Sequence, residues 1–145
     1  MRVLIVNGPN LNLIGQREEE IYGKASFDDY FEQLKSRKDA TLDYLQSNVE
    51  GELINILQGS DHDGIIINAG GYTHTSVALR DCIKGIKVPT VEVHISNISG
   101  REEFRHTSLL SPVCVGCIFG FGLKSYDLAV DHFISEESRF GKVGY

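Results

Sequence analysis

Three short runs of almost unbroken apolar residues constrain this chain more than anything else in it. Val3–Val6, Gly64–Asn68 and Val113–Phe119 are rich in Val, Ile and other apolar residues. A strand with helices packed on both faces has no solvent side, so it loses the alternation of apolar and polar residues. Two weaker strand candidates are Thr41–Leu45 and Thr90–His94. Helical spacing appears between the strands. Ser26 reads as an N-cap, with Asp29 three residues on, ahead of Tyr30, Phe31 and Leu34. Val49–Leu57 forms a second helix. Thr73 is expected to open a third, in which Leu79, Cys82, Ile83 and Ile86 share a face. Tyr126–Ile134 belongs to the last. Strands alternating with helices predict a doubly wound α/β domain with right-handed crossovers. Five strands suggest a flavodoxin-like three-layer sandwich around a five-stranded parallel sheet, whose ligands sit at the carboxyl ends of the strands.

The 145 residues suit one domain, 1–145, with a polar tail from 135 to 145 that is expected to be flexible. A formal net charge of -6 argues against a nucleic-acid partner, which would need a basic face. It leaves room for a small anion, because a local Arg pair overrides the global charge. No apolar run is long enough to span a membrane. The start, MRVLIVNGPN, turns polar too early for a secretory signal. The three cysteines, Cys82, Cys114 and Cys117, read as reduced thiols of a cytoplasmic protein. Cys114 and Cys117 have metal-ligand spacing, but no second pair accompanies them, and both are read as core. His62 and His132 are read as solvated. P-loop, H-E-x-x-H and G-x-S-x-G motifs are all missing from the sequence.

The loops after strands one, three and four hold most of the unusual polar residues. The first, NGPNLNLIGQREEEIYG from Asn7 to Gly23, is long for a strand-to-helix connection, and such loops often carry function. Asn7 to Pro9 read as turn chemistry. Arg17 beside Tyr22 would favour the phenolate, and a tyrosinate is a competent base. A solvated Arg paired with Glu18–Glu20, and a Tyr packed on the surface, fit the spacing equally well.

In the second loop, Gly70 and Gly71 allow a tight turn, and Thr73 or Thr75 is expected to cap the next helix. A helix N-terminus there would suit an anion or a hydroxylated ligand, with Asn68 and His74 as contacts. Arg80 and Asp81 read either as a solvated helix pair or, for Asp81, as a contact to a ligand or a neighbouring chain. In the third, Glu92 and His94 share a strand face, so a carboxylate can orient an imidazole. A satisfied core pair is the plainer reading. Ser96 and Asn97 beside the strand end favour function. Arg101 and Arg105 read either as a carboxylate clamp or as surface partners of Glu102 and Glu103.

Taken in order and spacing, NGPNLNLIGQRE…IYG, QSN…GELI, INAGGYTHTSVALRD, VEVHISN and REEFRHTSLLSPV resemble the type II 3-dehydroquinate dehydratases from Arg2 to about Ile134. Glu19, Ser99-Gly100 and Leu109 depart from commoner family residues, none at a catalytic position. The resemblance implies a flavodoxin-like lyase that carries out trans-dehydration of 3-dehydroquinate to 3-dehydroshikimate through an enolate, within the shikimate pathway to chorismate and aromatic amino acids. It implies no cofactor, no metal and a dodecamer of four trimers. It assigns Tyr22 as base, Arg17 as the residue keeping it anionic, and His94 as acid oriented by Glu92. Asn10 is assigned to hold a water near the enolate oxygen. The substrate-binding set is Asn68, His74, Asp81, Ile95, Ser96 and Arg105, with Asp81 near the neighbouring subunit's site. Two alternatives stand beside this: the same reaction in quinate catabolism, and a flavodoxin-like binding domain without chemistry.

Overall fold

The computed structural model describes residues 1–15 and 26–140, with side chains described up to residue 137. Five parallel strands form one sheet: β1 (Arg2–Asn7), β2 (Thr41–Gln46), β3 (Gly64–Asn68), β4 (Thr90–His94) and β5 (Gly116–Phe119). Four helices alternate with them: α1 (Phe27–Arg37), α2 (Glu50–Gly59), α3 (Val77–Gly85) and α4 (Lys124–Phe140). The strand order β2-β1-β3-β4-β5 is the flavodoxin-like arrangement, and its reversal of direction falls between β1 and β3.

The pleat divides the core in two. Val3 and Ile5 of β1 join Ile66, Val91 and Val93 on the face covered by α1 and α4, where Phe31, Leu34, Tyr126 and Phe133 are buried. Leu4 and Val6 join Ile65 and Ile67 on the opposite face, under Leu53 and Leu57 of α2 and Leu79 and Ile83 of α3. Each large aliphatic or aromatic side chain buried this way stabilises the fold by about 1.5–3 kcal/mol. Gly64 belongs to this packing, because a Cβ there would meet the Phe133 ring at 2.6 Å.

Ser26 caps α1 as expected, its Oγ accepting from the Asp29 amide at 3.1 Å. Three other expectations need correction. Strand five begins at Gly116, because Pro112 sets a 3₁₀ turn at Ser111–Val113. It is the half-exposed edge of the sheet, whereas β4, like β3, is buried along its whole length. Neither Thr73 nor Thr75 caps the third helix. A 3₁₀ turn at Gly70–His74 delays it, and Ser76 caps it at Leu79. His62 is wedged between the end of α2 and β2, with Nδ1 2.8 Å from Ser60 Oγ and Nε2 2.7 Å from Asp43.

Two loops at the reversal of strand order touch backbone to backbone. A Cβ on Gly8 would lie 2.7 Å from the Ala69 carbonyl oxygen, and one on Gly70, whose φ is +59°, would lie 3.1 Å from the Pro9 oxygen. The turn Asn7 to Pro9 is therefore also a packing element. Gly8→Ala is expected to force these loops apart, since neither backbone can rotate aside. The expected loss is about 1–3 kcal/mol in urea unfolding, together with a raised KM. Wild-type stability and KM in this variant would contradict the contact's importance.

Candidate active site

The carboxyl edge of the sheet opens into a cavity of about 190 Å³. Its lining brings together Asn10, Asn68, His74, His94, Ile95, Ser96 and Arg105, all singled out in the sequence. Arg101, read there as one of two possible clamps, also lines it. Glu92 lies directly behind His94. Asp81 does not join them; it is exposed on α3, outside the cavity of its own chain. Arg17 and Tyr22 lie outside the described residues.

The centre of the site is a buried carboxylate–imidazole pair. Side chains two apart on β4 point the same way, and His94 Nε2 stands 2.5 Å from Glu92 Oε2. Glu92 has no exposed surface. Burial works to raise its pKa, but hydrogen bonds from His94, Ser111 and Ser108 and the nearby imidazole outweigh this, and the net shift is downward. Ser111 Oγ donates at 2.6 Å and Ser108 Oγ at 2.8 Å to Oε1, and Thr73 Oγ1 lies 3.4 Å from Oε2. The sequence reading missed these hydroxyls as partners of Glu92. They are 16 to 19 residues away along the chain and carry no local pattern.

The depressed pKa of Glu92 sets a sign for acid unfolding. A carboxyl whose folded pKa lies below its unfolded value stabilises the fold above the unfolded value. That contribution is lost as pH falls through the folded one. The stability of Glu92→Gln, measured by urea unfolding, should therefore fall short of wild type at neutral pH, with the gap closing as pH falls. A gap independent of pH would contradict an ionised Glu92.

Around the pair, polar groups are fixed by the fold. His74 Nδ1 donates to the Thr107 carbonyl at 2.8 Å, and its ring lies nearly parallel to that of His94, with centroids 6.4 Å apart. His74 thus sits in the 3₁₀ turn, away from the N-terminus of α3 where the sequence reading put it. Asn10 is held in the left-handed region at φ +71°, and its backbone N–H donates to Asn48 Oδ1 at 3.0 Å. Arg101 Nη1 donates to Ser96 Oγ at 3.2 Å, so a guanidinium stands beside the Ile95–Ser96 backbone. Arg105 reaches the cavity while its Nε pairs with Glu102 at 2.7 Å. Arg80 is spent on the Leu109 carbonyl at 2.8 Å.

Cys114 and Cys117 are half-buried, not core. Burial, and then the negative charge of Glu92, push their thiols up to about 12 and about 11. Such thiols stay protonated and unreactive at neutral pH. Among the described residues, no group of three or more His, Cys, Asp or Glu is placed to hold a metal ion.

A buried Glu–His pair facing a small cavity of amides, backbone and guanidinium groups, at the carboxyl edge of a 2-1-3-4-5 sheet, is an enzyme site built for proton transfer on a polar anion. The family model described as class II dehydroquinase matches residues 1–134. A protein of Fusobacterium nucleatum named 3-dehydroquinate dehydratase is 51% identical over 142 residues, covering 92% of this chain and 97% of that one. One of Exiguobacterium with the same name is 53% identical, covering 96% and 97%. The crystal structure of a type II dehydroquinase from Butyrivibrio crossotus superposes with a TM-score of 0.87 at 42% identity, covering 92% and 97%. This chain belongs to the class II dehydroquinases.

Proposed function

We propose that this chain is a 3-dehydroquinate dehydratase of the shikimate pathway, acting by acid–base chemistry from its own side chains. The observation that carries the reading is the Glu92–His94 pair at the rim of the cavity. The C3 ketone of the substrate acidifies the neighbouring C2 proton. Tyr22, kept anionic by Arg17, takes that proton, and the electron pair moves onto the C3 oxygen as an enolate. A water held by Asn10 stabilises this oxygen. The enolate then reforms the ketone, the C1–C2 double bond forms, and the C1–O bond breaks. With Nε2–H kept on Glu92, the Nδ1 proton of a doubly protonated His94 passes to the departing hydroxyl, which leaves as water. The Ile95–Ser96 backbone, Asn68, His74 and Arg105 receive the substrate carboxylate and hydroxyls.

Asp81, exposed on α3, is assigned to the neighbouring subunit's site in a dodecamer of trimers, and the enzyme to the cytoplasm. These two assignments rest on the family resemblance. No described helix is long and apolar enough to cross a membrane. The test is to add 3-dehydroquinate to purified protein and follow enone absorbance. The expected result is turnover that EDTA does not slow and that borohydride with substrate does not abolish. Absence of enone formation would refute the activity, and a trapped lysine adduct would refute the mechanism.

A further inference from the structure

We propose that Tyr126, which is fully buried on α4 and does not reach the cavity, is a positioning residue that fixes the Asn68 amide in its substrate-binding orientation. The inference rests on the dehydratase reading, because that reading gives Asn68 its contact with substrate. Asn68 ends β3, and its register partner Asn7 ends β1. The Tyr126 hydroxyl sits between them, donating to Asn7 Oδ1 at 2.7 Å and accepting from Asn68 Nδ2 at 2.9 Å. Both contacts are buried.

The direction of every proton in this chain follows from one donor that cannot reverse. The Gly70 backbone N–H can only donate, and it meets Asn68 Oδ1 at 3.1 Å. The Asn68 amide therefore presents its nitrogen to Tyr126. The Tyr126 oxygen must then accept, and its own proton goes to Asn7 Oδ1. A flip of the Asn68 amide would set nitrogen against the Gly70 N–H and oxygen against a hydroxyl whose proton is already committed. Two opposed hydrogen bonds in a buried setting fix the amide more firmly than either alone. One Nδ2 proton and one Oδ1 lone pair remain for the cavity, and both stand in a set orientation before substrate arrives. Fixing a polar group in advance lowers the ordering cost of binding.

The experiment is a double-mutant cycle read as KM and kcat separately. Tyr126→Phe keeps the ring and removes only the hydroxyl. The expected result is a KM raised about 3- to 10-fold, the ratio that losing one neutral hydrogen bond gives, with kcat much less affected. Made in an Asn68→Ala background, the same change should leave KM unaltered, because the amide it positions is gone. A general loosening of α4 would instead add its effect in both backgrounds. If Tyr126→Phe does not fold, Asn7→Ser replaces it, since it disturbs the acceptor of the Tyr126 proton. It should show the same dependence on Asn68. Additive effects, or an unchanged KM in a folded Tyr126→Phe protein, overturn the proposal while the dehydratase reading stands. A wild-type protein that forms no enone overturns that reading, and the role of Tyr126 falls with it.

Discussion

Tyr22→Phe is expected to bind 3-dehydroquinate and turn it over on the order of 10²- to 10⁴-fold more slowly, the contribution of a positioned general base. That role comes from the family resemblance, and the cavity narrows the rivals among the described residues. Its described lining contains no Asp, Glu, Lys or Tyr, and Glu92 is sealed behind His94. The ring nitrogens of His74 and His94 are the only imidazole bases in that lining, and the proposed mechanism uses His94 as the acid. His74, with Nδ1 committed as a donor to Thr107, keeps Nε2 as an acceptor, which makes it the one rival among described residues. The two candidates separate cleanly. Tyr22→Phe should lower kcat with substrate binding retained, and His74→Ala should act chiefly on KM. Arg17→Ala should lower kcat as well, because the proposed phenolate would lose the positive charge that the family resemblance places beside it. Near-normal kcat in Tyr22→Phe beside a collapsed kcat in His74→Ala would move the base to His74.

His94→Ala is expected to lower kcat on the order of 10²- to 10⁴-fold too, but at the other proton transfer. In a stepwise reaction the enolate still forms when the acid is missing. In deuterated water the variant should then exchange the C2 proton of the substrate faster than it makes product. Substrate affinity is measured alongside, since His94 also faces the cavity. With affinity intact, exchange that falls in step with product formation would mean concerted transfer, or a His94 that also serves enolate formation. Glu92→Gln should reproduce part of the loss, because Gln supplies no negative charge behind the ring.

Much of this architecture is legible in the sequence because it is local. The unbroken apolar runs give β1 and β3 directly, and the Ser26–Asp29 pair gives the start of α1. The alternation of elements gives the sheet type, and the carboxyl-edge rule gathers the right loops. Boundaries failed where two local signals competed. Thr73, Thr75 and Ser76 all have capping side chains, and only the 3₁₀ turn decides for Ser76. In the VCVGCIF run, apolarity argued for a long buried strand, while Pro112 and the edge position shortened and exposed it. What no local pattern carries is the long-range polar wiring. Ser108 and Ser111 on Glu92, and Tyr126 between Asn7 and Asn68, join residues that only the folded sheet brings together. Arg101 stood beside Arg105 as an equal candidate, and spacing could not show that it meets Ser96.

The central claim is an elimination run by two side chains on opposite sides of the substrate. Its most direct measurement is a proton NMR time course with chelator-treated protein. The substrate is 3-dehydroquinate carrying deuterium at the C2 position anti to the C1 hydroxyl. A base facing the His94 acid across the ring removes that deuteron, so the predicted product is 3-dehydroshikimate with a full vinyl proton signal at C2. No product, or a product that retains the deuterium, would contradict the account.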